Sequence, residues 1–363
     1  MAYRPMDSRP MVRRIEESQE ARLDVGEGVS LWYRTWGNPQ GIPVLFVHGG
    51  PGQAIVDYKN GTAKFFDAEA FMVVEVDQRG TGLSRPSVRD DFRNMQHYLN
   101  LDIAMMSADF ELVREALGIS RWLVFGGSWG STLGLDYAER YPACCLGLIL
   151  RGIFLSTLDE FNAIYSRRPF LDNARRLAEF ETFFELAARE AERRGEPALD
   201  PDDSERFVRL YEALIVAGDR EAAWRFYAFE SNLMEEDPAA LLDPHRIDEG
   251  TYPEAQSVAF FEARLFLRHT FEAPLDLLGA VPSLLKGHGG APVRTWVVQG
   301  TGDEVCPEVF AQRLVDKLAE AGVPHDKYFV DAGHKATSDG IATALQRCVR
   351  EFLAAQATGA QPP

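Results

Sequence analysis

The feature that most constrains the fold is a Gly-x-Ser-x-Gly pentapeptide at residues 126–130, which lies between an apolar run and a helical pattern. The surrounding stretch, residues 123–142, reads LVFGGSWGSTLGLDYAERYP. A strand that passes into a helix through so tight a turn needs flanking glycines, because a side chain there would clash. The turn would lift the Ser128 hydroxyl above the sheet, and the N–H of Trp129 would begin the helix. The pentapeptide therefore predicts a serine nucleophile at a strand-to-helix elbow; the structural alternative is a glycine-rich turn that only packs a helix on a strand.

Apolar runs of strand length recur on both sides of this turn, and each ends in glycine or polar residues. They are PVLFVHGG (43–50), FMVVEVDQ (71–78), WLVFGG (122–127), LGLILRG (146–152), VRTWVVQG (293–300) and DKYFVDAG (326–333). Continuous apolar runs of this length are typical of parallel strands buried on both faces. In SLWYRTWG (30–37), apolar and polar residues alternate, as in a strand with one face exposed to solvent. Between the runs, residues 105–118 have helical spacing and end at Gly118. This alternation predicts an α/β fold with a mostly parallel central sheet.

A segment with a helical sequence pattern, rich in Glu, Arg, Ala and Phe, separates the strand-like runs at residues 153–290. One helix is predicted to end at Gly195, and residues 207–234 and 255–272 each predict another. The chain is thus divided into an N-terminal extension (1–22), a first core part (23–152), a helical cap (153–290), a second core part (291–357) and a frayed tail (358–363). Residues 287–293, GHGGAPV, are predicted to be the return hinge.

Charge and cysteine content exclude several classes of partner. The formal net charge is -17, from 38 basic and 55 acidic residues, and such a surface repels phosphate backbones, so no nucleic-acid partner is expected. No apolar stretch approaches the roughly 18 residues needed to cross a bilayer, so no membrane partner is expected. The four cysteines have no disulfide or zinc spacing, which favours free thiols in a reducing, cytoplasmic compartment. No metal or cofactor is predicted, and the oligomeric state is left open.

A serine nucleophile needs a base, and the base needs an orienting acid. In the α/β-hydrolase fold the chain order is Ser, acid, His. Of the five histidines after Ser128, only His334 follows a late strand in a short glycine-bearing loop. Asp303 lies in the loop after the preceding strand and is the predicted acid, with Glu304 as a close competitor and Asp331 as a weaker one. The sequence therefore predicts Ser128, Asp303 and His334 as a catalytic triad.

Two glycine-rich loops follow earlier strands. HGGPG (48–52) lets the backbone approach a ligand closely, so the N–H groups of Gly50 and Trp129 are the predicted oxyanion hole. DQRGTGLS (77–84) contains Arg79, which is interpreted as a structural anchor, with substrate contact as the alternative. Neither loop has a phosphate-binding glycine pattern, and a serine at position 128 argues against enzymes that use an aspartate nucleophile.

Taken together, HGGPG, DQRGTGLS, RWLVFGGSWGSTLGLDYAERYP, LRGIFL, GDEVCP and AGHKA resemble the prolyl aminopeptidases (proline iminopeptidases), serine peptidases with the α/β-hydrolase fold. The likeness covers residues 42–155 and again 293–336. It implies the same triad and oxyanion hole, a helical cap over the site, and release of an N-terminal residue, typically proline.

The resemblance also implies that cap glutamates bind the free amino group of the substrate. The family's Trp-x-x-Trp-Glu stretch corresponds to Phe226, Phe229 and Glu230, which are the predicted substrate-binding residues together with Phe266. The second glutamate of the family falls at Phe266, so that carboxylate is expected to be missing and the pocket to be more apolar. Glu262 lies nearby and is expected to face another way.

The leading interpretation is a serine aminopeptidase for short peptides or aminoacyl amides with N-terminal proline or another small or apolar residue. Phe266 motivates a second hypothesis with the same triad, an amidase or esterase for an apolar metabolite. A third, a hydrolase fold that serves only as a ligand receptor, is disfavoured by the intact triad candidates.

Overall fold

The computed structural model of the protein describes residues 18–59 and 61–357. One eight-stranded sheet forms its centre, in the order β1-β2-β4-β3-β5-β6-β7-β8. The strands are β1 (Gln19–Asp24), β2 (Ser30–Gly37), β3 (Ile42–Val47), β4 (Phe71–Val76), β5 (Trp122–Ser128), β6 (Cys145–Ile153), β7 (Thr295–Gly300) and β8 (His325–Val330). The pairs β1–β2 and β2–β4 are antiparallel, and the other five pairs are parallel. The predicted α/β fold with a mostly parallel sheet is confirmed.

The inner strands are apolar because helices cover both faces of the sheet. All six residues of β7 are buried, as are the first five of β5. The edge strand β1 is largely exposed and polar; it spans the boundary predicted between residues 22 and 23, which stays a prediction. The predicted tail, 358–363, and most of the predicted extension lie outside the described residues.

Ten α-helices surround this sheet in the described part of the chain. They are α1 (Ile103–Ala116), α2 (Trp129–Arg140), α3 (Leu158–Tyr165), α4 (Ala174–Arg193), α5 (Ser204–Val216), α6 (Arg220–Met234), α7 (Tyr252–Leu267), α8 (Leu277–Ala280), α9 (Glu308–Ala321) and α10 (Asp339–Ala357). Helix α1 begins where the Asp102 side chain accepts from Ala104 N, and Gly118 follows its end with φ 66°, as predicted for a glycine stop.

The helices between β6 and β7 correct one prediction. Residues 207–234 do not form one helix, because Gly218 adopts φ 85° and the Asp219 side chain caps α6 by accepting from Ala222 N. A left-handed glycine followed by an N-cap ends one helix and begins the next. Residues 255–272 lie in α7 and in a π-helical turn, Arg268–Glu272, that continues it.

The inserted helices lie directly on the loops that follow the core strands. On α7, Ser257 Oγ donates to Gly52 O at 2.9 Å, and a Cβ on Gly52 would come within 2.7 Å of Ser257 O. On α4, Arg176 binds Glu304 in the loop after β7. The insertion therefore covers the carboxyl end of the sheet. By contrast, α8 and the 3₁₀ segment after it pack on α2 in the core, and the predicted limits of the cap, 153–290, stay a prediction.

Two further sequence expectations concern membranes and thiols. Among residues 18–59 and 61–357, none of the helices is both long and apolar enough to cross a bilayer. All four cysteines are free, and three of them are buried, as their spacing predicted.

Candidate active site

The serine of the pentapeptide lies where β5 passes into α2. Ser128 has φ 58° and ψ −132°, a strained combination for a residue with a side chain. A Cβ on Gly126 would stand 2.1 Å from Gly130 O, and one on Gly130 would stand 2.3 Å from Val47 O. The two glycines of the motif are therefore required by sterics, and the predicted strand-to-helix elbow is present.

The predicted acid and base are in direct contact. Asp303, in the loop after β7, lies with Oδ2 at 2.8 Å from His334 Nδ1, in the loop after β8. Both residues are 5% exposed. The other oxygen, Oδ1, accepts from Val305 N and Cys306 N at 3.0 and 2.8 Å. Burial raises the pKa of Asp303, but the contact with His334, the N–H of Cys306 and the charge of Arg151 together hold that pKa below its usual value. Asp303 is thus an ionised acceptor for His334.

The competitors for the acid do not contact His334. Glu304 points into the cap interface, where its carboxylate binds Arg176, and Asp331 is exposed. The geometry therefore selects Asp303 from the three candidates.

The loop after β3 lies against the elbow. A Cβ on Gly49 would stand 3.5 Å from Ser128 Cβ, and Gly50 and Gly52 have φ 103° and 95°. Gly50, Ser128 and Trp129 line one cavity. The assignment of the Gly50 and Trp129 N–H groups as an oxyanion hole stays a prediction.

Arg79 is a structural anchor. Its Nε and Nη2 bind both oxygens of Asp109 at 2.6 and 2.8 Å in a buried pair. It is not among the residues that line the cavity, which decides against its alternative role as a substrate contact.

A cavity of about 700 Å³ lies between the core and the inserted helices. His334 and Arg151 line it with Ser128, and so do Glu230 and Glu262 from α6 and α7. The predicted base and nucleophile therefore share one cavity with two acidic side chains.

Glu262 corrects the sequence analysis. It was expected to face away from the site, but it is four residues from Phe266, a spacing that puts both on one face of α7. The carboxyl groups of Glu230 and Glu262 lie close enough for each to shift the pKa of the other, and the two residues are 7% and 5% exposed. The carboxylate that is absent at position 266 is present one turn earlier. The spacing of four was the signal that could have found it.

The two carboxyl groups lack a cation. The Tyr165 hydroxyl donates to Glu230 Oε1, and Glu262 Oε2 is buried without a hydrogen-bond partner. No arginine or lysine of the described residues pairs with either. Burial raises the pKa of Glu230 to about 7, and burial with the neighbouring Glu230 raises the pKa of Glu262 well above its usual value. The two carboxyl groups, which have no cation beside them, therefore hold a proton between them at neutral pH.

Phe226 and Phe229 are placed differently from the prediction. Phe229 stacks on Phe183 with ring centroids 4.4 Å apart, and Phe226 packs on Tyr165 at 5.6 Å. Neither lines the cavity, because on α6 their side chains point into the aromatic interior of the cap. The structure does not bring them to the cavity, and their assignment as substrate-binding residues stays a prediction.

Phe266 does line the cavity, as predicted. Its ring lies 4.8 Å from that of Phe154 and 6.1 Å from that of Trp129. Together the three rings form an apolar wall beside Ser128.

Sequence reasoning did not single out Arg151, at the end of β6. Its Nη1 donates to His334 O at 2.7 Å and lies 3.3 Å from His334 Nε2. A charged residue near the carboxyl end of an apolar parallel strand was the available signal, since functional groups collect at that edge of such sheets.

One group of side chains within the described residues offers metal-ligand geometry. Ligand atoms of Asp303, Cys306 and His334 lie within 4.8 Å of one another. Burial raises the pKa of the Cys306 thiol well above its usual value, which disfavours the thiolate that a metal requires. This set is better suited to hold His334 than to hold an ion.

The chain is similar to known α/β hydrolases. Residues 42–340 match the α/β-hydrolase fold family. A proline iminopeptidase of Neisseria meningitidis is 32% identical over 341 residues, which cover 91% of this chain and 95% of that protein. A proline iminopeptidase of Arabidopsis thaliana is 30% identical, over 94% of this chain and 81% of that protein.

Solved structures give the same fold. A proline iminopeptidase-related protein of Thermus thermophilus is 25% identical, with a TM-score of 0.51 over 93% of this chain and 98% of that one. A haloalkane dehalogenase variant from Bradyrhizobium elkanii superposes with a TM-score of 0.58 at 15% identity, over 95% and 99%. At that identity the likeness extends to the fold alone.

Proposed function

Because the chain belongs to the proline iminopeptidase family of α/β hydrolases, we propose that it is a serine aminopeptidase. It hydrolyses the amide bond after an N-terminal residue, proline or another small or apolar one, in short peptides or aminoacyl amides. The free thiols fit a reducing compartment, and the proposal places the enzyme in the cytoplasm.

The observation that carries the proposal is the pair Glu230 and Glu262. Two buried carboxyl groups without a cation are costly in a folded protein, and here they face the cavity that holds Ser128. The ammonium group of a free N-terminus supplies the missing charge and hydrogen-bond donors. An enzyme for neutral esters would gain nothing from this pair.

The proposed chemistry gives Ser128, His334 and Asp303 the roles of nucleophile, base and orienting acid. Ser128 Oγ attacks the carbonyl carbon after the first residue, and His334 Nε2 takes the hydroxyl proton while Asp303 holds the imidazole. The Gly50 and Trp129 N–H groups stabilise the oxyanion. His334 then returns the proton to the leaving amine, and water hydrolyses the acyl-enzyme in a second round of the same steps.

The apolar wall of Phe266, Phe154 and Trp129 supports one alternative. It would suit an amidase or esterase acting on an apolar metabolite with the same nucleophile. The wall also suits the ring of an N-terminal proline, so the requirement for a free amine decides between the two.

The test is a panel of Pro-, Ala- and Leu-arylamides, each with a free and with an acetylated N-terminus. We expect kcat/KM for the free substrates to exceed that for the acetylated ones at least about 30-fold. The acetylated substrates carry no ammonium group, and a buried charge left without its partner usually costs this much. Equal kcat/KM values on free and acetylated substrates would contradict the aminopeptidase proposal and favour the alternative.

Replacing Glu262 by Gln is expected to lower kcat/KM on free arylamides by roughly 30-fold, mainly through KM, because one partner of the ammonium is lost. Activity on acetylated substrates should change little. Glu254→Gln is the matched control: it removes a carboxylate from the same helix whose partner is the Tyr227 hydroxyl and which does not line the cavity. Equal losses in both variants would exclude a specific role for Glu262.

Amine binding is expected to weaken as the pH falls below 7. Burial raises the pKa of Glu230 to about 7, so below that value the pair must release a proton before it can hold an ammonium. Each unit of lower pH then costs up to about tenfold in affinity. The measurement is the Kd of prolinamide for the Ser128→Ala variant between pH 5 and 7, with N-acetylprolinamide as control. An unchanged Kd over this range would mean that the carboxyl pair does not bind the amine.

A further inference from the structure

Arg151 is a cation that the proposed chemistry does not use. It lies at the end of β6, is half-buried, and lines the cavity beside Ser128 and His334. Among residues 18–59 and 61–357, its guanidinium pairs with no carboxylate, and its polar contacts are His334 O and Nε2 through Nη1. Nε and Nη2 are therefore left for another partner.

The sequence makes room for this guanidinium. Gly127 occupies a variable position of the pentapeptide, where the turn itself does not require glycine. A Cβ there would lie 2.7 Å from Arg151 Nε and 2.8 Å from Nη2, far below ordinary contact. Gly127 thus allows the guanidinium to lie flat against the elbow, in the space next to the reacting atoms.

The position of Arg151 defines which part of a substrate it can reach. His334 Nε2 must come within about 3 Å of the leaving amine to give it a proton, and Arg151 Nη1 lies 3.3 Å from the same Nε2. When the leaving group is a single amino acid, its α-carboxylate lies on the carbon next to that amine. Each further residue would move the carboxylate away by about 3.5 Å.

Resting on the proposed function, we infer that Arg151 binds the α-carboxylate of the leaving residue, so that dipeptides with a free C-terminus are the preferred substrates. A guanidinium presents two parallel N–H donors that match a carboxylate. The cavity then carries opposite charges for the two ends of a zwitterion: Glu230 and Glu262 for the ammonium, and Arg151 for the carboxylate. Amides and longer peptides lose the second contact.

The experiment compares three substrates: Pro-Ala, Pro-Ala amide and a Pro-arylamide. We expect kcat/KM for Pro-Ala to exceed that for its amide by about tenfold or more, the effect of one charge-assisted bidentate contact. In Arg151→Met this ratio should fall to about one. In Arg151→Lys it should be intermediate, because lysine keeps the positive charge but lacks the two parallel N–H donors of the guanidinium. Pro-Ala-Ala should behave like the amide.

The matched control is Lys335→Met. Lys335 also lines the cavity, but its amine already pairs with Glu235 at 2.6 Å, so the same loss of charge should leave the ratio of acid to amide unchanged. A similar fall of the ratio in both variants would show a general effect of charge and overturn the inference.

The outcomes separate this inference from the proposed function. Failure to cleave the Pro-arylamide would overturn the aminopeptidase itself. Cleavage of the arylamide with equal rates on Pro-Ala and Pro-Ala amide would leave the aminopeptidase standing and overturn the role of Arg151. The comparison of Pro-Ala with Pro-Ala amide uses the unaltered protein, so its result does not depend on whether the Arg151 variants fold.

Discussion

Replacing Ser128 by Ala is expected to lower kcat by at least about 10³-fold and to abolish labelling by a fluorophosphonate probe. The elbow holds Ser128 at a backbone conformation that side chains rarely adopt, φ 58° and ψ −132°, and such strain persists where it serves a site. Without the hydroxyl no acyl-enzyme can form, and only binding and the oxyanion donors remain to assist water.

The control for this variant is Ser131→Ala, one turn along α2. Ser131 Oγ donates to Ser128 O and accepts from Phe154 N, and it does not line the cavity. We expect this variant to keep its labelling. Labelling that survives in Ser128→Ala would mean that another residue is the nucleophile; loss in both variants would point to damage of the elbow.

Replacing Asp303 by Asn is expected to lower kcat by roughly 10³- to 10⁴-fold, with little change in KM. Oδ1 of Asp303 accepts from Val305 N and Cys306 N, and the amide oxygen of Asn would take the same place. Its NH₂ group would then face His334 Nδ1 and donate to it. The imidazole would carry its proton on Nε2, where it cannot accept the proton of Ser128.

Glu304→Gln is the neighbouring control. Its carboxylate binds Arg176 in the cap interface, so we expect kcat to remain within about threefold of the unaltered protein. Comparable losses in Asp303→Asn and Glu304→Gln, measured as kcat at the same pH on the same arylamide, would contradict the assignment of the acid.

Much of the core could be predicted because its structure depends on interactions between residues that are close together in the chain. Strands buried on both faces are largely apolar along their length, so β3 to β7 appear as apolar runs, with Glu75 in β4 and Arg151 in β6 as the charged exceptions. Gly126 and Gly130 are required by contacts at the elbow and with β3, which makes the pentapeptide specific. Position after a late strand singled out His334 and favoured Asp303, and the contact of Asp303 with His334 then separated it from Glu304 and Asp331.

The cap was harder to predict because its residues face one another across helices. Phe229 and Phe266 are both phenylalanines on helices of similar composition, yet Phe229 stacks on Phe183 inside the cap and Phe266 lines the cavity. Composition does not distinguish the helix face that packs inside the cap from the helix face that lines the cavity. The break between α5 and α6, by contrast, was readable from Gly218 and Asp219.

The sequence by itself determined the elbow, the order of serine, acid and base, and the sheet that holds them, because sterics and strand burial act through near neighbours in the chain. Only the tertiary structure decided what surrounds the serine. Glu230 and Glu262 lie 32 residues apart on different helices, and Arg151 is 183 residues from His334. The two glutamates meet only when α6 packs on α7, and Arg151 meets His334 only when β6 and the loop after β8 come together in the sheet, so no local pattern records either approach.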